Sequence, residues 1–346
     1  MKKASSIIIK IIAVIIAFIM LNLLFMPKYI EKNADGRITA EYYREKTGID
    51  VIFAGSSTVQ AGISPMVLYR EYGITAYDRS NSSQVIPITY CMIQDAIKRN
   101  KPELVVVDVG FLYQPDDFVD EGSSRKSMDS LKWSKAKFDC ILDIMDETEN
   151  ITDYVFPILR FHSRWNDLSL EDLKYWVYKP DVTYNGQMLQ FQTEDGSAEY
   201  NPYNLDDTVK ATDKTMDYLQ KIIDVCKSND VQLMFIKLPM IRGNWNDSID
   251  SQITDIANNN GVLYFNFIED YDDIGLVRPD DFSDEQHMNS FGSEKFTKYL
   301  GKYIIENYSV TNRAGDEAYK KVFDKKLERY ESAMEDRIPS EPVKED

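Results

Sequence analysis

The segment VIFAGSST (51–58) begins with four apolar residues and ends in glycine, two serines and threonine. An apolar run of this length, ended by glycine and serine, predicts a buried strand that turns into a loop. A second run, LVVVDV (104–109), is rich in β-branched residues, as is typical of a central strand in a parallel sheet. The two segments together predict that the chain folds as an α/β protein.

Helix and strand patterns alternate along most of the chain. Strands that alternate with helices in this way form a parallel sheet with helices on both faces. We therefore predict a three-layer α/β/α domain with a parallel, flavodoxin-like sheet, spanning residues 49–310. The predicted helices are 65–72, 84–99, 212–228, 252–258 and 293–307, and the further strands are 231–236 and 262–265.

Two regions depart from this alternation. Residues from about 115 to 210 are rich in aromatic and acidic side chains. They are predicted to form a large insertion over the carboxyl edge of the sheet, where ligands bind in open α/β folds. Residues 311–346 form a charged tail whose apolar stripe predicts a partly helical structure, and its last dozen residues are predicted to be disordered.

The N-terminal segment IIIKIIAVIIAFIMLNLLFM (7–26) is interrupted only by Lys10 and Asn22. Its length is about that needed to cross a hydrocarbon core of about 30 Å as a helix. The following sequence LFMPK (24–28) lacks the pair of small residues that a signal peptidase requires. We therefore predict a retained transmembrane anchor rather than a cleaved signal peptide.

Positive charge defines the predicted orientation of this anchor. Lys2, Lys3 and Lys10 lie on its N-terminal side, which predicts a cytoplasmic N-terminus and an exported remainder. Residues 1–27 are thus interpreted as a cytoplasmic stub and single-pass anchor in the cell membrane. Residues 28–48 are interpreted as a juxtamembrane, helical linker.

Composition excludes some classes of function. The chain carries 57 acidic and 40 basic residues, a net charge of −17, which disfavours a nucleic-acid partner because such binding requires basic groups. An apolar content of 43% with 28% charged residues is typical of a folded protein.

No cofactor or metal is predicted. Cys91, Cys140 and Cys226 are widely spaced and odd in number, so we interpret them as small buried thiols; a disulfide would leave one cysteine over. The acidic clusters at 116–121 and 270–273 do not match a calcium-binding loop and are interpreted as solvated surface. Glycine-rich nucleotide-binding motifs do not occur in the sequence.

Two short segments contain candidate catalytic groups. GSST (55–58) follows the first strand, and DEQHMN (284–289) lies between the last strand and the last helix. A serine hydroxyl needs an adjacent base to become a nucleophile, and a histidine oriented by a nearby carboxylate supplies one. Both segments follow strands, so the fold could join them. Each also has a plainer interpretation, as a capping serine and as a surface histidine.

The order of these segments resembles the SGNH (GDSL-like) hydrolase superfamily over roughly residues 48–310. The resemblance implies that Ser57 is the nucleophile, His287 the general base and Asp284 its orienting carboxylate. Asn289 also fits the closing motif of the superfamily. The N-terminal anchor and large insertion resemble its membrane-anchored branch, which includes the teichoic-acid D-alanyl transfer protein and alginate O-acetylation proteins.

The resemblance is weakest at the oxyanion hole. It implies three donors: the N–H of Ser57, a glycine N–H after the second strand, and an asparagine side chain after the third. Ser83 stands where the glycine is expected and could donate its own N–H. Leu112 stands near the expected asparagine, and Asn81 or Gln84 could substitute. Losing one such donor lowers the rate by about 10²–10³-fold.

The segment LRFHSRW (159–165) lies within the predicted insertion. His162, the second of only two histidines, is interpreted first as a packing residue of the insertion. The alternative is a substrate-binding surface, because Arg160 and Arg164 suit anionic groups and Trp165 suits stacking on sugars.

These observations support two hypotheses. The first is a membrane-anchored esterase or O-acyltransferase that acts on a cell-envelope glycan or polymer through an acyl-serine intermediate. The resemblance further implies a polytopic membrane acyltransferase as a partner. The second is a non-catalytic envelope scaffold or glycan-binding protein with a degraded site. The missing asparagine favours the second hypothesis, and the spacing of Asp284 and His287 favours the first.

Overall fold

Five short segments form one parallel sheet in a computed structural model that describes residues 2–26, 34–116 and 120–336. The strand order is β2-β1-β3-β4-β5, which is the order of flavodoxin-like sheets. The strands are β1 Val51–Gly55, β2 Ala76–Ser80, β3 Leu104–Asp108, β4 Gln232–Lys237 and β5 Leu263–Asn266. The predicted parallel α/β sheet is confirmed.

Helices cover both faces of this sheet, and further helices lie in the insertion and at the N-terminus. In order along the chain they are α1 Lys2–Phe25, α2 Ala34–Arg44, α3 Ser57–Gly62, α4 Pro65–Tyr72, α5 Ile86–Asn100, α6 Glu121–Met128, α7 Lys135–Ile144, α8 Ile151–Val155, α9 Pro157–Phe161, α10 Leu170–Lys174, α11 Asp213–Ser228, α12 Asp247–Asn260, α13 Tyr271–Ile274, α14 Ser290–Asn307 and α15 Glu317–Glu335. A 3₁₀ turn, His162–Asn166, follows α9.

The pleat of β1 explains the three layers. Ile52 and Ala54 face a core shared with α5, α11 and α12, whereas Val51 and Phe53 face a core shared with α3 and α14. Alternate residues of a strand point to opposite faces, so a run that is apolar throughout is buried on both. The three-layer prediction is therefore confirmed.

Helix ends depart from the predicted bounds where polar caps extend the helix. The helix predicted at 252–258 is α12, which begins earlier because the Asn246 side chain accepts a hydrogen bond of 2.8 Å from the N–H of Ile249. Its first turn contains Asp247 and Asp250, which favour a helix N-terminus but give no apolar spacing. The helix ends at Gly261, whose φ of 65° suits glycine.

The predicted insertion has two parts. Helices α6 and α7 pack on α5 through a separate apolar cluster that includes Met92, Met128 and Ile141. The later part is mostly irregular chain that runs along β2 and towards α3. There Asp78 donates its N–H to the carbonyl of Asn185 at 2.9 Å. The insertion therefore both widens one helical layer and covers an edge of the sheet.

Two regions interpreted as peripheral contribute to the packed domain. Tyr42 of α2 is fully buried, although it lies in the predicted linker. Residues 28–33 of that linker lie outside the described residues. Phe323 and Tyr330 of α15 are also fully buried. The disorder predicted for the last dozen residues falls largely on 337–346, outside the described residues.

The N-terminal helix α1 contrasts with this packing. Among the residues described, Ser5–Phe25 is one helix long and apolar enough to cross a membrane, and almost all of it is exposed. Cys91, Cys140 and Cys226 are buried free thiols, which agrees with their interpretation as small buried side chains.

Docking of α15 predicts a large loss of stability on truncation of its buried ring. Phe323→Ala should lower the free energy of unfolding by about 3–5 kcal/mol, because it leaves a cavity in the shared core. Urea unfolding of the full-length chain in detergent, followed by far-UV circular dichroism, measures this. The control is Lys321→Ala at an exposed position of the same helix, expected within about 0.5 kcal/mol of the wild type. Equal, small effects of both variants would contradict a docked tail.

Candidate active site

Ser57 lies two residues after the carboxyl end of strand β1. Strand β1 ends at Gly55 and α3 begins at Ser57, so the chain turns within two residues. A Cβ on Gly55 would lie 2.6 Å from Val59 Cγ2 and 3.1 Å from Asp108 Cβ. Glycine is therefore required for β1, α3 and β3 to approach this closely.

The structure brings the three predicted catalytic side chains together. Ser57 Oγ lies 2.7 Å from His287 Nε2. His287 Nδ1 lies 2.9 Å and 2.8 Å from the two carboxylate oxygens of Asp284. With the Nδ1–H donating to Asp284, Nε2 is left to accept the hydroxyl hydrogen of Ser57. This is the arrangement in which a histidine activates a serine.

Backbone N–H groups of the histidine loop donate hydrogen bonds to the Asp284 side chain. Asp284 Oδ1 accepts hydrogen bonds from the N–H groups of Gln286 at 2.8 Å and His287 at 2.9 Å. Burial raises the pKa of the Asp284 carboxyl, but these hydrogen bonds and its bond to His287 outweigh burial, so the pKa lies below its ordinary value. Asp284 is therefore an ionised acceptor for His287 at neutral pH.

Asn289 caps the start of α14. Its side-chain oxygen accepts from the N–H groups of Phe291 at 3.0 Å and Gly292 at 3.1 Å, and its amide donates to the carbonyl of Asp280 at 2.6 Å. A Cβ on Gly292 would lie 2.2 Å from the Asp281 carbonyl oxygen. These two residues thus position the histidine loop against α14.

The predicted oxyanion donors lie on two turns. The N–H of Ser57 belongs to the first turn of α3, whose N–H groups lack acceptors within the helix. Ser83 is the third residue of a turn closed by a 3.2 Å hydrogen bond from Gln84 N–H to the Asn81 carbonyl, and its φ is 55°. Glycine is favoured at such a position, and Ser83 adopts this positive φ in its place.

The side chains proposed as substitute donors are engaged elsewhere. The amide of Asn81 donates to Ser127 Oγ at 3.0 Å, and that of Gln84 donates to Thr89 Oγ1 at 3.0 Å. Leu112, near the expected asparagine, is buried. The role of Asn81 stays a prediction, and the backbone N–H groups are the donors that the turns support best.

A buried ionisable pair below Ser57 was not identified from the sequence. Asp108, at the end of β3, accepts from Thr58 Oγ1 at 2.6 Å and from the N–H of Gly110 at 3.0 Å. Burial raises the pKa of this carboxyl, against the nearby charge of Lys237. Burial likewise lowers the pKa of Lys237 to about 8. The sequence feature that could have identified this pair is a charged residue at the end of each of two adjacent apolar strands, Asp108 in β3 and Lys237 in β4.

The residues of the predicted substrate surface lie on α9 and the 3₁₀ turn. Arg160 pairs with Glu121 at 2.6 Å, and His162 Nδ1 lies 3.0 Å from the Leu159 carbonyl oxygen. Arg164 donates to the carbonyl of Phe25 at 2.7 Å, and Trp165 is exposed. These contacts connect the segment to α1 and the insertion rather than to Ser57, so its substrate role stays a prediction.

Metal chemistry finds no support in the side chains seen. Within the described part of the chain, no group of His, Cys, Asp and Glu residues is arranged to hold a metal ion.

Proteins similar to this chain are found among solved structures. No protein-family model and no curated protein matches it. Similar solved structures include a GDSL-like lipase from Bacteroides thetaiotaomicron, 10% identical with a TM-score of 0.37 over 79% of this chain and 97% of that chain. Another is a catalytic mutant of an acetylxylan esterase from Geobacillus stearothermophilus, 11% identical with a TM-score of 0.37 over 75% and 95%. A family 3 carbohydrate esterase from Clostridium thermocellum is 13% identical, with a TM-score of 0.34 over 75% and 96%.

The positive φ of Ser83 predicts opposite effects of glycine at two adjacent positions. Ser83→Gly should leave the free energy of unfolding unchanged or raise it by up to about 1 kcal/mol, because glycine adopts this conformation without strain. Ser82→Gly, where φ is not positive, should lower it by up to about 1 kcal/mol through the entropy of the unfolded chain. Urea unfolding of both variants measures the difference. Destabilisation by glycine at 83 but not at 82 would show that the turn is built otherwise.

Proposed function

We propose that this chain is a membrane-anchored serine esterase or O-acyltransferase that acts outside the cytoplasm on cell-envelope glycans or polymers. The observation that carries the proposal is the continuous set of hydrogen bonds from Ser57 through His287 to Asp284. Nucleophile, base and orienting carboxylate within hydrogen-bond distance are what acyl transfer through serine requires.

In the first half-reaction, His287 Nε2 removes the hydroxyl proton as Ser57 Oγ attacks the carbonyl carbon of an ester. The carbonyl oxygen becomes an oxyanion, which the N–H groups of Ser57 and Ser83 stabilise. The intermediate then collapses: the bond to the leaving oxygen breaks, and His287 gives its proton to that oxygen. The products are a free alcohol and acyl-Ser57.

In the second half-reaction, the acceptor is water or a glycan hydroxyl. His287 removes a proton from this acceptor, whose oxygen attacks the acyl carbon, and the bond to Ser57 Oγ breaks. The proton returns from His287 to Ser57. Throughout, Asp284 holds the Nδ1–H tautomer and stabilises the imidazolium that forms in each step.

The anchor supports the cellular part of the proposal. Helix α1 has the length and apolarity of a membrane span, and the lysines before it favour a cytoplasmic N-terminus. The domain would then face lipid-linked or wall polymers on the outer side. The resemblance to the anchored branch also motivates a polytopic membrane acyltransferase as the donor of the acyl group.

The alternative is a scaffold or glycan-binding protein that retains the fold. Its support is the buried, apolar Leu112 near the position where a side-chain oxyanion donor is expected. Such a protein would keep the arrangement of Ser57 and His287 without turnover.

Covalent labelling distinguishes the two functions. A fluorophosphonate probe should label the full-length chain in detergent. Ser57→Ala should abolish this labelling, because the attacking oxygen is absent, and His287→Ala should lower the labelling rate by at least about 10³-fold, because a serine without its base is a weak nucleophile. His162→Ala, at the other histidine, is the matched control and should label at the wild-type rate. A folded wild type that is never labelled would favour the scaffold.

The role of Asp284 has its own prediction. Asp284→Asn should slow labelling by about 10²–10⁴-fold, because an amide does not hold the Nδ1–H tautomer as a carboxylate does. Glu285→Gln, at the adjacent and more weakly connected acidic residue, should change the rate little. Labelling kinetics at neutral pH compare the two variants. Equal rates for Asp284→Asn and the wild type would remove the carboxylate from the mechanism.

A further inference from the structure

The insertion exposes an unusual amount of apolar surface. Of the 17 exposed large apolar side chains found outside α1 in the described residues, nine lie between residues 155 and 178. Val177 is 89% exposed, Leu170 74% and Trp165 67%. Exposed apolar groups concentrated in this way mark an interaction surface. The insertion apolar surface consists of Val155, Phe156, Leu159, Trp165, Leu170, Leu173, Trp176, Val177 and Tyr178.

This surface is continuous with α1. The ring of Phe156 packs edge-on against that of Phe18, with centroids 5.8 Å apart. The N–H of Ile158 donates to Asn22 Oδ1 at 3.1 Å. The Asn22 side chain, which interrupts the apolar span, therefore has a partner in α9. The segment is thus attached to the candidate membrane span itself.

Arg164 completes the attachment. Its guanidinium donates to the carbonyl of Phe25 at 2.7 Å and also contacts that of Met26, where the C-terminal end of α1 leaves carbonyls without partners. Asp172 of α10 lies 3.4 Å from the same guanidinium. Helix α10 is therefore connected to the end of α1 through one half-buried arginine.

The positions of these contacts along α1 indicate how deep the insertion would lie in a bilayer. Phe18 precedes Phe25 by seven residues, which is about 10 Å at about 1.5 Å per residue. If α1 crosses a bilayer, Phe156 lies about 10 Å below the end of the span. Interfacial helices bury their apolar faces about 5–10 Å into the boundary between headgroups and acyl chains.

Charge and residue type fit the same environment. Residues 155–178 contain three basic residues (Arg160, Arg164, Lys174) and three acidic ones (Asp167, Glu171, Asp172), so they are neutral in a chain of net charge −17. Tryptophan and tyrosine, which the surface also exposes, favour the membrane–water interface. Anionic lipids repel the acidic remainder of the chain, but they do not repel the neutral segment 155–178.

We propose that the insertion apolar surface lies in the outer boundary of the lipid bilayer beside α1, as a second membrane contact. The occupant of the surface is lipid acyl chain, not protein. This proposal rests on the membrane anchoring proposed for α1. A single helix leaves a domain free to rotate about it, whereas a second contact fixes the orientation of the domain, and of Ser57, relative to the membrane.

Single cysteines test this, because the three native cysteines are buried and buried thiols are inert. Leu170→Cys and Val177→Cys in the full-length chain are labelled with a nitrobenzoxadiazole fluorophore and reconstituted in phosphatidylcholine vesicles. Ile305→Cys, at another exposed apolar position (52% exposed) but on α14, is the control. Lipids brominated on the acyl chain should quench the probes at 170 and 177 at least about twofold more than the probe at 305, because only groups buried in the boundary reach that depth.

Probes at 170 and 177 that remain as accessible to aqueous iodide as the probe at 305 would overturn the proposal. Protection that appears in native membranes but not in pure lipid would also overturn it, in favour of a protein partner. Protection that rises with protein concentration would overturn it in favour of self-association.

Failure of this surface can be separated from failure of the proposed function. A probe at Ile12→Cys reports whether α1 is inserted, and fluorophosphonate labelling of the same vesicles reports Ser57. A quenched probe at 12 with aqueous probes at 170 and 177 would make only the surface wrong. An aqueous probe at 12 would make the anchor wrong as well, and the activity of Ser57 would still be read independently.

Discussion

The close approach of β1 to β3 at Gly55 is the constraint on which the position of Ser57 depends. A side chain at 55 would collide with Val59 and approach Asp108, so α3 could not begin where it does. Thr58, the second residue of α3, is then tied to β3 through its 2.6 Å hydrogen bond to Asp108. Burying this carboxylate and Lys237 is unfavourable by itself. The gain is a nucleophile held on a fixed turn, which a base 230 residues away can reach.

The parts of the fold that were predicted from the sequence are those with local signals. Apolar runs identified β1, β3, β4 and β5, and Ser57 and His287 were placed near one another because carboxyl ends of parallel strands share an edge. Strand β2 gave no apolar run, since it contains Asp78, Arg79 and Ser80, all fully buried. Arg79 is accommodated by the Tyr42 ring at 4.2 Å and by Asp95 at 3.2 Å, partners that a local pattern cannot show.

Long-range partners explain the remaining differences. Arg164 was interpreted as a residue for anionic substrates, yet its donors meet backbone carbonyls of α1, 139 residues earlier. Phe323 and Tyr42 lie in segments that look like a charged tail and a polar linker, because only one face of each helix is apolar. An amphipathic helix indicates that it packs against something, but its sequence does not say against what. The tertiary fold supplies that information.

The proposed membrane location affects how a site with few oxyanion donors could act. In the proposed site, the N–H groups of Ser57 and Ser83 are the oxyanion donors, and Leu112 lies near the position where the resemblance implies a side-chain donor. One missing donor lowers kcat by about 10²–10³-fold. A polymer anchored in the same membrane meets a tethered site at a high effective concentration, often in the millimolar range for short flexible tethers. If the insertion also fixes the orientation of Ser57 relative to the membrane, part of the entropy cost of aligning Ser57 with the substrate is met before the substrate binds. A weakened oxyanion hole is therefore compatible with catalysis on a membrane-bound polymer, and least compatible with a freely secreted lipase.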